Sequence, residues 1–159
     1  MISKKIKTQN QLKAIISKQR KKKTIAFTNG CFDILHSGHV EYLEEAKKRA
    51  DILIVGLNTD SSVRKIKGPR RPVVALVDRQ KVTAALESVD YVTSFSEPTP
   101  LEIISKLKPH LIIKGGDWKP KNIVGRSIVS CYGGKAISVK YRKGHSSTGI
   151  LRKIKRLGR

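Results

Sequence analysis

The sequence predicts an α/β fold, in which an open, mostly parallel sheet of five strands carries helices on both faces. Two observations predict it. Five short apolar runs have the length and the Val/Ile/Leu content of strands that are buried on both sides. Segments whose apolar residues recur at helical spacing stand between these runs. Strict alternation of strand and helix is typical of a parallel, Rossmann-like sheet.

The first half of the chain supplies two helices and two strands. Residues 9–20 predict a short helix because their apolar residues recur at helical spacing. The apolar segment 24–28 predicts the first strand, and the sequence NGCFD after it predicts a turn. Residues 36–50 predict the next helix, and the continuous apolar run 52–58 predicts the second strand.

The second half continues the alternation. Residues 83–90 predict the end of a further helix. After the third strand, Thr99 is expected to cap a helix whose first residue is Pro100. The other predicted elements are a third strand at 91–95, a fourth strand at 110–116, a helix at 123–132, a fifth strand at 135–141 and a closing helix at 146–157 capped by Ser146 or Ser147.

The length of 159 residues is that of one domain, with a basic helical extension at 1–23 and a core at 24–159. The chain has 34 Lys+Arg against 12 Asp+Glu, a net charge of +22, and residues 1–23 and 118–159 contain no acid. These basic terminal segments could bind a polyanion such as nucleic acid. Alternatively, they could be solvated surface around a site for phosphorylated substrates. Aromatic residues at 5% are few for stacking on bases, which disfavours nucleic acid.

Other classes of protein are disfavoured by composition. No run approaches the roughly 20 apolar residues of a membrane helix, and the N-terminus lacks the apolar core of a secretory signal. Cys31 and Cys131 are too few for a disulfide framework. We therefore expect a cytoplasmic protein with reduced thiols and no membrane partner.

The segment TNGCFDILHSGH, residues 28–39, carries the strongest chemical signal. A strand enters a glycine turn, and His36 and His39 then flank Ser37 and Gly38 where a helix begins. Backbone N–H groups at a helix N-terminus bind anions, and a glycine lets a phosphate approach the backbone closely. Two imidazoles three residues apart can face that phosphate together. The alternative, a zinc site, is weakened because no third ligand of suitable spacing follows; His110 and His145 are distant in sequence.

The HxGH motif after a strand ending in GxFD resembles the nucleotidyltransferase superfamily, whose two motif histidines stabilise the nucleotide phosphates. A longer ordered set of motifs is similar to one family within it, the adenylyltransferases of ADP-heptose synthesis. That set covers roughly residues 24–155 and consists of TNGCFDILHSGHVEYLEEAKKRAD, LIVGLNTDSSVRKIKGPRRPV, ALESVDYVTSF, SEPTP, LIIKGGDW, IVG, a later GG and GHSSTGILRKI.

The resemblance implies the nucleotidyltransferase α/β fold and the transfer of AMP from ATP to D-glycero-D-manno-heptose 1-phosphate, with Mg²⁺ on the ATP phosphates. The products would be ADP-heptose and pyrophosphate, for lipopolysaccharide core or another heptose glycan. It also implies a homodimer. In some relatives a sugar kinase forms the other half of a bifunctional protein, and this chain contains none, so we expect a separate heptose kinase as a pathway partner.

The resemblance also implies site residues. The expected catalytic residues are His36, His39 and Lys67. Residues expected to bind ATP are Asn29, Gly30, Cys31, Phe32, Gly38, Tyr141, Arg142, Gly144, Ser146, Ser147 and Thr148. Residues expected to bind the sugar phosphate are Asp33, Asn58, Asp60, Arg71, Lys114, Gly116, Asp117 and Trp118. No metal-ligating residue is predicted.

Several of these assignments have alternatives. Asp33 equally suits simple stabilisation of its turn, and Lys67 and Arg71 could belong to a solvated charge run. Trp118 could be half-buried structure, and Cys31 a reactive thiol, although no base is evident beside it. The segment VALV before Asp78-Arg79 departs from the family's polar pattern.

Alternative functions are a polyol-phosphate cytidylyltransferase, an enzyme similar to FAD synthetase, or a basic nucleic-acid-binding module. The last predicts ATP-independent binding with a steep dependence on salt.

Overall fold

The computed structural model describes residues 2–116, 118–140, 144 and 146–158. Its centre is one sheet of five parallel strands in the order β3-β2-β1-β4-β5. The strands are β1 Ile25–Gly30, β2 Ile52–Asn58, β3 Tyr91–Phe95, β4 Leu111–Gly115 and β5 Lys135–Val139. The predicted fold class is confirmed.

The helices are α1 Gln9–Gln19, α2 Ser37–Lys47, α3 Asp60–Lys67, α4 Leu76–Ala84, α5 Leu101–Leu107, α6 Arg126–Ser130 and α7 Ser147–Leu157, with short 3₁₀ turns at Ile2–Lys4 and Pro120–Asn122. Helices α2 to α6 connect successive strands, whereas α1 precedes β1 and α7 follows β5. Strand order reverses at β1, whose neighbours are β2 on one side and β4 on the other. This topology leaves a crevice at the carboxyl ends of β1 and β4, where ligands bind in open parallel sheets.

The apolar core lies on both faces of the sheet. On one face Phe27 and Ile112 pack with buried residues of α1, α5 and α6. On the other, Leu53 and Val55 pack with buried residues of α2 and α4. All seven residues of β2 are buried, which explains why its sequence consists of apolar residues and one glycine up to Asn58.

The basic N-terminal segment is part of this same body. Leu12 and Ile16 of α1 are buried in the core, and a capping box between Thr8 and Gln11 begins the helix. Upstream of α1, Ile6 bridges to Val92 of the edge strand β3. Within the described ranges, no helix is both long and apolar enough to cross a membrane.

The structure departs from the sequence predictions at α3 and at the start of α5. Helix α3 was not predicted; it begins after Thr59, whose side chain accepts a hydrogen bond from Ser62 N–H, and its outer face is charged. Helix α4 ends at Ala84, inside the stretch 83–90 where the sequence predicted the end of a helix. The N-cap of α5 is Pro100 rather than Thr99, and no side chain caps that helix.

Candidate active site

A pocket of about 240 Å³ opens at the carboxyl ends of β1 and β4, at the reversal of strand order. Most of the residues that line it were predicted from the sequence. Its lining consists of Asn29, Gly30, Cys31, Phe32, Asp33, His39, Tyr42, Lys67, Lys114, Gly115, Trp118 and Ser147. The motif after β1, the end of β4 and the start of α7 therefore meet in one place.

The turn after β1 shapes the floor of this pocket. Phe32 adopts a positive φ of 44°, a strained conformation for a bulky residue, and its ring is buried. The ring folds back over Gly30, where an added Cβ would lie 2.9 Å from Phe32 Cε2. Gly30 is therefore required by close packing against Phe32, while its own φ is unremarkable for a strand.

The two motif histidines form a stacked pair. His36 occupies the N-cap position of α2, and its ring lies 3.9 Å from that of His39, centroid to centroid. The Phe32 ring lies 5.0 Å from His39 on another side. Burial, together with the nearby His36 and Lys67, lowers the pKa of His39 to about 4. His39 is thus neutral near pH 7 and can donate one ring N–H to a phosphate oxygen.

Lys114 brings a cation to the end of β4. Its Nζ donates to Asn29 Oδ1 at 2.6 Å and to the Asn29 carbonyl at 3.0 Å. Burial lowers the pKa of Lys114 to about 8. Both of these partners are uncharged, so an anion in the pocket would be the natural counter-ion for this ammonium group.

Asp33 holds a neighbouring segment in place. Its Oδ2 accepts from Arg71 at 2.6 Å, and its Oδ1 accepts from the N–H groups of Val73 and Val74 at 2.8 and 3.0 Å. Burial alone would raise the pKa of Asp33, but the hydrogen bonds from Val74, Arg71 and Val73 lower it below its ordinary value. These contacts show that Asp33 anchors the segment 71–74 and not its own turn.

The N-terminus of α7 reaches the same place. Ser146 caps the helix by accepting from Gly149 N–H at 3.0 Å, and Ser147 Oγ donates to the Ile34 carbonyl at 3.0 Å. Arg71 Nη2 donates to Thr148 Oγ1 at 3.3 Å. Arg71 therefore ties the segment after α3 to both Asp33 and α7.

Lys67 and Trp118 lie at the rim of the pocket. Lys67 is the last residue of α3. Its side chain is exposed, and the Trp118 residue is 52% exposed. Both side chains are free of the core and accessible to a ligand.

Two predicted sugar-binding residues instead pack around Arg79. Asp60 forms an ion pair of 2.7 Å with Arg79, and the Asn58 carbonyl accepts from Arg79 at 2.9 Å. Asn58 Nδ2 donates to Ser62. Arg79 is 1% exposed and also donates to the carbonyls of Val74 and Cys31. Sequence reasoning noticed the Asp78-Arg79 pair but gave Arg79 no role.

The remaining predicted residues fall into two groups. Gly38 is buried in the first turn of α2, and Gly116 and Gly144 lie in turns with φ of 95° and 92°. Asp117, Tyr141 and Arg142 are outside the described residues.

The described part of the pocket offers no ligand set for a resident metal. No group of three His, Cys, Asp or Glu side chains among the described residues could hold an ion. Both oxygens of Asp33 are occupied by protein donors. His110, one of two distant histidines considered for zinc, accepts from Ile25 N–H at the amino end of the sheet, away from His36 and His39. His145 lies outside the described residues.

A model of the cytidylyltransferase-like family matches residues 27–153, which include every described residue of this pocket. The chain belongs to the cytidylyltransferase-like family. This assignment confirms the predicted superfamily and the prediction of a nucleotidyltransferase.

Relatives of this cytidylyltransferase-like chain include two proteins named bifunctional protein HldE. That of Trichlorobacter lovleyi is 47% identical over 151 residues, and that of Geobacter metallireducens is 47% identical over 153 residues. The alignments cover 94% and 96% of this chain but 31% of each relative. The chain thus spans about a third of the length of these relatives.

Solved structures agree with the fold. A lipopolysaccharide core biosynthesis protein from Thermoplasma volcanium is 28% identical with a TM-score of 0.63, over 77% of this chain and 99% of that one. A pantoate-β-alanine ligase from Francisella tularensis, solved with an ATP compound and β-alanine, has a TM-score of 0.65. It covers 94% of this chain and 76% of its own, and at 17% identity it supports the fold alone.

Proposed function

We propose that this chain transfers AMP from ATP to D-glycero-D-manno-heptose 1-phosphate in the cytoplasm, giving ADP-heptose and pyrophosphate. The observation that carries the proposal is the uncompensated positive charge of the pocket. Lys67 and Lys114 face it beside the starts of α2 and α7. Asp33 is the only acid among its described lining residues, and Arg71 neutralises it. Such a site suits two phosphorylated substrates.

The relatives support the choice of substrate. Two carry the name HldE and one solved neighbour is a lipopolysaccharide core biosynthesis protein. The names of these three proteins are consistent with the resemblance of the sequence to ADP-heptose adenylyltransferases. The family description, cytidylyltransferase-like, keeps a cytidylyl donor as the second candidate.

The proposed reaction is an in-line displacement at the α-phosphorus of ATP. A phosphate oxygen of the sugar 1-phosphate forms a bond to this phosphorus, and the bond from the phosphorus to the α–β bridging oxygen breaks. Pyrophosphate leaves with that electron pair. The attacking oxygen is already anionic, so no general base is required, and Mg²⁺ enters as part of the MgATP substrate.

The chain's own residues position and neutralise the phosphates in this proposal. Neutral His39 donates a ring N–H to a phosphate oxygen, and Lys114 supplies a cation at the base of the crevice. Ser147 and Thr148 place the N-terminus of α7 against the β- and γ-phosphates. Trp118 offers a flat face to sugar or base.

The direct test measures pyrophosphate release with Mg²⁺ and each anomer of heptose 1-phosphate, comparing ATP, CTP and GTP. We expect release with ATP and one anomer. Release with CTP and glycerol 3-phosphate, or with ATP and FMN, would favour the other nucleotidyltransferases. If no pair of substrates released pyrophosphate and the chain bound nucleic acid in a salt-sensitive way, the proposal would be overturned.

Lys67→Ala is expected to raise the KM for a phosphate-bearing substrate about tenfold with little change in stability, because Lys67 is exposed at the rim of the pocket. Steady-state kinetics with each substrate varied in turn measures this change. Lys65→Ala, an exposed lysine of the same helix outside the lining, is the matched control. Equal KM values in the two variants would remove Lys67 from the site.

The activity is also expected to depend on the charge of Lys114. Its pKa of about 8 means that the ammonium form is present below that pH and is lost as the pH rises through it. If the cation holds a phosphate, kcat/KM should fall up to about tenfold per unit above pH 8. Kinetics from pH 7 to 9.5 measures this limb. Lys114→Met should have a lower kcat/KM at every pH and should not show the fall above pH 8. If the variant still showed that fall, the titrating group would be a residue other than Lys114.

Two further expectations concern partners. The family resemblance implies a homodimer. It also implies a sugar kinase in the same pathway, and the relatives are named bifunctional proteins. Whether the kinase is a separate protein, as the sequence suggested, stays a prediction.

A further inference from the structure

Helix α7, Ser147–Leu157, projects an uncovered amphipathic surface. None of its residues is buried against the described part of the chain. Ile154 is 56% exposed and Leu157 is 77% exposed. Among the described residues, hydrogen bonds from Ser147 to Ile34 and from Arg71 to Thr148 hold the start of the helix in place.

The two sides of α7 separate cleanly. Because successive residues of a helix are about 100° apart around its axis, the apolar side chains of α7 lie on one side of the helix and its cationic side chains lie on the other. We call the first the apolar face (Ile150, Leu151, Ile154, Leu157) and the second the cationic face (Arg152, Lys153, Lys155, Arg156). The helix contains no acid.

Such a helix needs a covering surface. Isolated helices shorter than about 12–15 residues are marginal in water, and helices in proteins gain most of their stability by burying an apolar face. α7 has 11 residues, and its apolar face is at best half-buried at Ile150 and Leu151. A partner that takes up the apolar face while tolerating four cations would complete the burial.

Charge and size favour an anionic lipid surface as that partner. A second copy of the chain carries the same net charge of +22, and packing two apolar faces together would bring the flanking Lys153 and Lys155 of each copy near one another. Four apolar side chains also offer far less area than the roughly 800 Å² per partner of a stable interface. Nucleic acid would pair with the cations but leave Ile154 and Leu157 in water. A lipid headgroup layer accepts both faces.

We propose that α7 docks on the surface of an anionic bilayer. The apolar face enters the boundary between headgroups and acyl chains, and the cationic face contacts lipid phosphates. Because α7 begins beside the pocket, docking would hold the pocket close to the membrane. This inference is independent of which sugar phosphate the pocket accepts.

The test is co-sedimentation of the full chain with vesicles of phosphatidylcholine alone or mixed with phosphatidylglycerol. We expect binding to the mixed vesicles only. The double substitution Ile154→Ser/Leu157→Ser should weaken binding by at least about tenfold. Val77→Ser/Val82→Ser, which removes two exposed valines from α4, is the matched control and should bind like the parent.

A second pair of variants tests the charge. Lys153→Glu/Arg156→Glu should abolish binding, whereas Lys18→Glu/Lys22→Glu, with the same change of net charge near α1, should weaken it much less. Equal losses in the two pairs would show general adsorption of a cationic protein and overturn the proposal. So would absence of binding, a dimer that only the α7 apolar variant dissociates, or RNA binding lost in that variant while vesicle binding persists.

Discussion

His39→Ala is expected to lower kcat by two to three orders of magnitude while leaving the free energy of unfolding almost unchanged. Removing one preorganised donor to developing charge typically costs a factor of about 10²–10³. The ring contributes little to the core, because it lies in the pocket lining and Nδ1 has no hydrogen-bond partner among the described residues. Activity and stability should therefore separate at this position.

Pyrophosphate release under single-turnover conditions measures the loss, and urea unfolding measures stability. His39→Gln is the control, because it restores an N–H donor on a side chain of similar length and should recover part of the rate. The assignment is wrong if His39→Ala keeps near-normal turnover. A loss of several kcal/mol in stability would instead show that the stacked pair with His36 is structural.

The central strands were predictable because they are buried on both faces. Residues 52–58 form β2 from end to end; all seven are buried, and the six before Asn58 are apolar residues or glycine. Helix α3 was missed because it is short and largely polar, with Ser62 and Val63 as its two buried residues, so it contains too few apolar residues to mark a helix. Its start depends on the hydrogen bond from Ser62 N–H to Thr59 Oγ1 and its end on Gly68, a pattern that also fits a loop.

The site was predictable where its residues are adjacent in sequence. Gly30 to His39 lie on one strand–turn–helix unit, so a local motif places them together. The roles of Asn58 and Asp60 could not be predicted in the same way. Their contacts depend on where α4 brings Arg79, about twenty residues later, and that placement is set by tertiary packing. A buried arginine leaves no signal in hydrophobic periodicity.

Arg79 is the junction on which the loops of the site depend. Its guanidinium donates to the carbonyls of Cys31, Asn58 and Val74 and pairs with Asp60, with no exposed side-chain surface. Cys31 lies in the turn that floors the pocket, and Val74 belongs to the segment that Asp33 anchors. One side chain thus joins the ends of β1 and β2 to the start of α3 and the segment before α4.

Arg79→Met is expected to lower the free energy of unfolding by about 3–5 kcal/mol, because methionine fills much of the volume but leaves Asp60 and the carbonyls of Cys31 and Asn58 unpaired. Urea unfolding measures the loss, and Arg64→Met, an exposed arginine of α3, is the control. Arg79→Met/Asp60→Asn should recover part of the stability by removing the unpaired charge.

Since Arg79 fixes the Cys31 carbonyl at 2.6 Å, the single variant should also raise KM for ATP at temperatures where it is still folded. Stability close to that of Arg64→Met would show that the contacts of Arg79 are dispensable.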